Sequence, residues 1–438
     1  MTKSKTLRRL LCLLLTLTMV LSLAVPVVSA ENEPEQIKTA SEQQQMPAQN
    51  ESTFVEQDPH SLDEIVRVTI ELEGTPTLDA GYPMERIAEN RSAVNYRAGL
   101  RANQDAMTAR IEKTIGSELD VKWNITLAMN AISANVRYGD IPAIKAITGV
   151  KDVFLENQYE APKDVEEGDH PNTANTSTYM VGAADTWAEG YTGAGSRIAI
   201  IDTGLDTTHQ SVDADAFNYA IQQTGKTVSL FTSSDLSAIK SQLNGSSATY
   251  VSAKIPFGYN YVDESTTIDH LSDTNGEHGS HVAGIAAANR YIKSGSSYVD
   301  AASTVHAVGM APDAQLFIMK VFGAAGGAYD SDYMVAIEDA IVLGCDAVNL
   351  SLGSSVQGFA YSTSYQATMN KIANSSSNTK TVVSISAGNA YDFAYMLSSD
   401  EKELYIDDVS CIPAAAQART STPSAWPLLR TPAWSAPR

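Results

Sequence analysis

Arg197-Ile198-Ala199-Ile200-Ile201-Asp202-Thr203-Gly204 decides the fold. Four apolar residues in succession, ending on an acid, read as a strand buried on both faces, which is the mark of a parallel sheet covered by helices. The surrounding chain repeats the pattern. Gln315 to Val321, Ala347 to Leu350 and Thr381 to Ser386 read as further strands, Val282 to Ala288 as a small-residue helix, and Ser331 to Leu343 as an amphipathic helix. Strands alternating with helices predict a doubly wound α/β sheet. Residues 211 to 260, Ser-rich and Lys-bearing, read as a surface excursion between two of these elements.

Asp202 falls at the carboxyl end of its strand, where ligands and catalysis collect in an open parallel sheet. A dinucleotide fold would place its glycines after the strand, whereas Gly193-Ala194-Gly195 precedes it. An aspartyl-phosphate enzyme would want a second acid two residues on, where Gly204 stands. The third reading, a buried carboxylate orienting a histidine, needs a histidine downstream. Gly276-Glu277-His278-Gly279-Ser280-His281-Val282-Ala283-Gly284-Ile285 supplies one at a helix start. A metal reading would take His278 and His281 with Asp273 or Glu277, but Gly279 points to a turn there and no further His or Cys cluster completes a site. Val348-Asn349-Leu350-Ser351-Leu352-Gly353 gives an apolar strand with a small-residue edge suited to pairing with a peptide backbone. Val383 to Asn389 ends another strand on an amide placed to donate a hydrogen bond, as an oxyanion site requires.

Taken jointly, Ile-Ile-Asp-Thr-Gly, His-Gly-Ser-His-Val-Ala-Gly and Ser-Ala-Gly-Asn resemble the pattern of the subtilisin-like serine proteases, in that family's order of Asp before His. The wording of Lys254 to Tyr261, Gly309 to Ala314 and Met319 to Gly323 resembles the lactocepin-type cell-envelope proteases. The resemblance implies a subtilisin-like sheet over residues 179–410, with Asp202 and His278 as triad members, Asn389 as oxyanion donor and Ser351, Leu352 and Gly353 aligning a peptide substrate. It implies no required cofactor. Asp206, Asp263 and Asp269 are acids that could coordinate calcium. Ser280 stands where threonine is more usual.

The family carries its nucleophile on Gly-Thr-Ser-Met-Ala, and no Gly-Thr-Ser occurs in this sequence. Ser424-Ala425 and Ser435-Ala436 lack the preceding glycine turn. Residues 411–438 differ in kind from what precedes them: no acid, five of the chain's 16 prolines and two of its four tryptophans. The expectation is a reading-frame shift near Pro413, in a chain cut before the nucleophile. The alternative is an inactive relic or a propeptide-bearing peptide-binding module.

Upstream, residues 63–160 read as a second unit. Ile65 to Leu72 alternates as a strand, Met84 to Ile115 follows at helical spacing, and Val121 to Leu127, Ala131 to Arg137, Ile141 to Ile147 and Val150 to Leu155 read as strand, strand, helix and strand. The order β-α-β-β-α-β predicts an α+β ferredoxin-like unit, preceding the incomplete subtilisin-like domain that the resemblance implies. The resemblance makes that unit an inhibitory propeptide in the substrate cleft. Residues 161–178 read as a linker carrying the processing region, and 31–62 as a polar linker.

Residues 1–30 place Lys3, Lys5, Arg8 and Arg9 before an apolar run from Leu10 to Val28, with Val28-Ser29-Ala30 as a small-residue cleavage site. This reads as a signal peptide, so the protein is expected to be secreted or held at the cell envelope, with no membrane span once the signal is removed. An uncleaved anchor is the competing reading, which Pro26 disfavours. With 51 acidic against 30 basic residues and a net charge of -21, nucleic acid is not an expected partner. Three cysteines give no disulfide framework. Cys345 reads as a buried hydrophobe.

Overall fold

The computed structural model describes residues 60–159, 161, 177–271, 273, 276–324, 327–352, 368–369, 371–372 and 381–386. The compact unit that holds them begins at His60. Its first layer is a four-stranded antiparallel sheet in the order β2-β3-β1-β4, from β1 (Ile65–Leu72), β2 (Asp120–Ile125), β3 (Ala131–Arg137) and β4 (Val150–Leu155). Two helices, α1 (Arg91–Ile115) and α2 (Ile141–Lys145), complete β-α-β-β-α-β. The long helical reading from Met84 is shortened at its start, because the Asn90 side chain accepts from the Ser92 and Ala93 amides and so caps α1 there. Gly116, left-handed at φ 74°, ends it.

Alternation along β1 sorts the sheet into two faces. Val66, Val68, Ile70 and Leu72 join Met107 and Ile111 of α1 and Ile144 of α2 in one core. The opposite, more polar face is also covered. Thr69 and Ser133 there are fully buried, and the Ser133 hydroxyl lies 3.0 Å from that of Ser331. After β4 the chain forms β5 (Gln158–Tyr159), which leaves this sheet.

The second layer is a five-stranded parallel sheet. Its strands are β6 (Arg197–Asp202), β7 (Phe257–Asn260), β10 (Gln315–Lys320), β12 (Ala347–Leu350) and β13 (Val382–Ile385), in the order β13-β12-β6-β10-β7. Between β7 and β10 lies a hairpin of β8 (Tyr291–Ser294) and β9 (Ser297–Asp300), and β11 (Ala328–Tyr329) follows β10 to pair with β5. All six residues of β10 are buried, as a strand covered on both faces requires. The excursion expected over residues 211–260 holds more structure than foreseen. It contains α3 (Ala214–Gln223) and α4 (Ser233–Ile239), buries Phe217, Phe231 and Leu236, and ends as strand β7 at the sheet edge.

Two helical expectations are corrected. The helix expected from Val282 begins at His278, giving α5 (His278–Ala287), with Gly279 in its first turn. The helix expected to be amphipathic is α6 (Asp330–Val342), and every one of its thirteen residues is buried. Its polar side meets the four-stranded sheet. Glu338 accepts from the amides of Thr126, Leu127 and Ala128 at 3.3, 2.7 and 2.7 Å, and Asp332 accepts from the Trp123 indole at 2.7 Å.

Candidate active site

The parallel sheet reverses its winding at β6, which has β10 on one side and β12 on the other. Such a switch point opens a crevice at the carboxyl ends of the strands. Asp202 is the last residue of β6, in register with Lys320 of β10, and its side chain is buried. His278 is the first residue of α5 and keeps 23% of its side chain exposed. Its Nδ1 lies 2.8 Å from Asp202 Oδ1 and 3.1 Å from Oδ2. A carboxylate at that distance accepts a hydrogen bond from Nδ1–H and so holds the proton on that nitrogen, which leaves Nε2 as the basic one.

Backbone contact holds this pair. Oγ1 of Thr203 accepts from the Gly279 amide at 2.9 Å, tying the start of α5 to the residue after Asp202. A Cβ on Gly279 would stand 2.2 Å from Gly204 O and 3.2 Å from Asp202 Oδ1, so only glycine fits there. Gly204, at φ +116°, turns the chain where a Cβ would meet Ile268 O at 2.3 Å. Ser280 Oγ accepts from the Asp206 amide at 2.9 Å, so its hydroxyl is a second fastening of the loop after Asp202 to α5. Beneath the loop, the buried Lys320 ammonium donates to Thr203 O and Asp273 Oδ2. Sequence reasoning did not foresee the Lys320–Asp273 pair, and weighed Asp273 only as a metal ligand. A lysine closing an otherwise apolar strand was the available signal.

The other expected residues fall as follows. Ser351 and Leu352 follow β12 directly, and Leu350 is in register with Ile201 of β6, so both lie one strand away from Asp202. Ser351 Oγ accepts from Asn349 Nδ2 at 2.8 Å, and Leu352 O accepts from Ser386 Oγ at 3.3 Å. Gly353 and Asn389 lie outside the described residues. His281 is exposed, Asp273 faces Lys320, and no group of three metal-binding side chains occurs among the described residues. The three acids weighed for calcium serve separate turns. Asp206 accepts from Thr208, Asp263 from Asn260 and Ala324, and Asp269 from Leu271.

A sequence model of the subtilase family matches residues 193–414. The chain belongs to the subtilase family. Its similarity to named subtilases is partial. It is 31% identical to the PI-type proteinase of Lactococcus lactis subsp. cremoris over 286 residues, 64% of this chain and 13% of that protein. With the minor extracellular protease Vpr of Bacillus subtilis it shares 28% identity over 248 residues, 54% of this chain and 24% of that one. The chain thus spans about an eighth to a quarter of these relatives' length. Among solved structures, the epidermin leader peptide processing serine protease of Staphylococcus aureus aligns with a TM-score of 0.42 and 15% identity, over 76% of this chain and 63% of that one. The parallel sheet and its flanking helices are those of the α/β subtilisin fold.

Strongly perturbed acids lie away from Asp202, on α6. Burial pushes the Asp330 carboxyl up to about 7, against hydrogen bonds from Asn157, Tyr159 and Tyr333. Asp332 and Asp339 are raised to about 6 by the same burial, and Glu338 is raised too. Four acids in an apolar helix were visible in the sequence, but what covers them was not.

Proposed function

We propose that this subtilase is an exported serine endopeptidase in which Asp202 and His278 are two members of the triad. The 2.8 Å contact between Asp202 Oδ1 and His278 Nδ1 carries the reading. In the mechanism this supports, Asp202 fixes the imidazole tautomer and stabilises the imidazolium. His278 Nε2 takes the proton of a serine hydroxyl as that oxygen attacks the peptide carbonyl, then returns it to the leaving amine. Asn389 would donate to the oxyanion, and Ser351 to Gly353 would align the substrate backbone. Residues 63–160 would be the propeptide, seated against α6 and lying in the cleft, with residues 161–178 holding the processing region. Residues 1–30 would be the export signal, the polar segment 31–62 a linker, and secretion or cell-envelope attachment the destination. The name of Vpr, an extracellular protease, agrees with that. No described helix is long and apolar enough to cross a membrane.

The missing Gly-Thr-Ser favours a second reading of the 438 residues as written, a peptide-binding module without hydrolytic activity. The family match ends at residue 414, next to Pro413, which supports the frame-shift account of the tail. A fluorophosphonate probe separates the readings. The 438-residue chain should stay unlabelled, and a chain read in the restored frame should label and hydrolyse peptides. His278→Ala in that chain should lower turnover by about 10⁶-fold, because the members of such a triad act as a unit. A restored chain that neither labels nor hydrolyses would contradict the endopeptidase reading.

A further inference from the structure

Lys320 closes β10 in register with Asp202 of β6, and it is 2% exposed. A lysine ending an apolar strand would ordinarily carry its ammonium out to water. Here the stem runs beneath the turn at Gly204, where a Cβ would stand 3.3 Å from Lys320 Cδ. Its Nζ then donates in two directions, to Thr203 O at 2.5 Å and to Asp273 Oδ2 at 2.5 Å. Thr203 follows Asp202, and Asp273 precedes His278 by five residues. One buried cation thus joins the segment that carries the acid to the segment that carries the base. Thr203 is fully buried, and each of its polar groups meets the site. Its amide donates to Asp202 Oδ1 at 2.7 Å, its hydroxyl oxygen accepts from the Gly279 amide at 2.9 Å, and its carbonyl is the one Lys320 holds. Asp202 Oδ1 is also the oxygen nearer to His278 Nδ1. An ion pair serving stability alone would need only its two charges face to face. In this one a further donor is directed at the residue that orients Asp202.

We propose that Lys320 is a positioning residue of the Asp202–His278 pair: through Thr203 it fixes the carboxylate that keeps the imidazole proton on Nδ1, and Asp273 neutralises the cation so that it can lie buried there. The inference rests on the reading of Asp202 and His278 as triad members and adds the group that holds them in register. Without Nζ, the buried Thr203 carbonyl loses a charge-assisted hydrogen bond, and the turn must shift to find another donor. Such a shift carries the Thr203 amide away from Asp202 Oδ1 and the hydroxyl away from Gly279, at both ends of the pair at once. A displacement of about 1 Å is enough to cost about 10²-fold in rate.

The test uses the full chain with 15N-labelled histidine. Long-range 1H–15N spectra, taken where the ring is neutral, report which imidazole nitrogen carries the proton, and His278→Gln identifies the His278 signals. Wild type should hold the Nδ1–H form. Lys320→Met combined with Asp273→Leu removes both charges together and should keep urea stability near that of wild type. Its His278 ring should nevertheless shift at least about tenfold toward the Nε2–H form, the worth of a hydrogen bond to a charged group. Asp273→Asn alone leaves Nζ on Thr203 O; it should lower stability while the tautomer ratio stays within about twofold of wild type. Should the double variant fail to fold, Lys320→Gln with Asp273→Asn is uncharged and too short to reach Thr203 O, and should show the same tautomer shift. In the chain read in the restored frame, the double variant should lose about 10²-fold in kcat with KM held within about twofold. A wild-type ring protonated on Nε2, a folded double variant with an unchanged tautomer, or an Asp273→Asn chain that shifts as far as the double variant would overturn the proposal. A restored chain that hydrolyses nothing ends the endopeptidase reading, while the tautomer measurements still decide the role of Lys320.

Discussion

Replacing Asp330 by asparagine should flatten the pH dependence of stability between about pH 4.5 and pH 6.5. Asp330 has an ordinary carboxyl value of 3.8 in the unfolded chain and about 7 in the fold. Its folded value is raised, so its contribution is fully present below 3.8 and is lost as the pH climbs through about 7. Linkage over that two-unit interval gives a loss of about 2.5 kcal/mol from this one group. Asp332 and Asp339, raised to about 6, act in the same direction. Lys254, lowered by burial to about 7, works the opposite way, but almost entirely above the interval. Asp206 and Asp235 are held below the ordinary carboxyl value by Thr208 and Thr232, so their contribution is lost only as the pH falls under 3.8. The introduced amide would turn an NH2 toward some of the donors that Asp330 now satisfies, at a cost of about 1–3 kcal/mol. The variant should therefore be the less stable protein at the acid end, with the gap closing or reversing by about pH 6.5. Urea denaturation followed by tryptophan fluorescence at fixed ionic strength measures both curves, Trp123 being buried at the α6 contact. Parallel curves for wild type and variant would refute the reasoning.

Gly279→Ala would drive a methyl into Gly204 O at 2.2 Å; it should cost at least about 1–3 kcal/mol in urea, and a loss under about 0.5 kcal/mol would contradict the packing argument. Lys320→Met leaves the buried Asp273 carboxylate without its cation; the expected loss is about 3–5 kcal/mol, read from the same transition. Glu338→Gln removes one of the two oxygens that three backbone amides share; amide hydrogen exchange at Leu127 and Ala128 should accelerate about tenfold or more, while β10 amides keep their protection. Cys345, whose thiol burial pushes upward, should resist alkylation in the folded protein and react only in denaturant, as peptide mapping would show.

Local pattern carried far into the fold. The alternation in Ile65–Leu72 and the apolar runs at Gln315–Lys320 and Ala347–Leu350 locate strands nearly to the residue, because burial of one face or of both leaves its period in the sequence. The Asp202–His278 pairing was legible from the three motifs taken jointly and the family resemblance they carry. What escaped depends on contacts distant in sequence. α6 reads as amphipathic because its Asp and Glu residues would face water in isolation, and only partners distant in sequence make them interior: the backbone of residues 126–128 for Glu338, Trp123 for Asp332, Asn157 and Tyr159 for Asp330, and Asn244 and Gly245 for Asp339. β7 was hidden because Phe257–Asn260 is short and emerges from a polar, Ser-rich stretch. Gly279 misled for the opposite reason: its helix propensity argues for a turn, yet its missing Cβ is what lets α5 begin against the loop after Asp202.

Gly279 and Gly204 act together as a mechanical stop. The helix bearing His278 rests on main-chain atoms of the loop after Asp202, with no flexible side chain between them to absorb movement. The separation of the two backbone segments that carry imidazole and carboxylate is therefore set by the hard radii of main-chain atoms. Substitutions elsewhere in the core, or thermal motion of neighbouring side chains, can shift the helix and loop as one piece while the distance between the two functional groups stays the same.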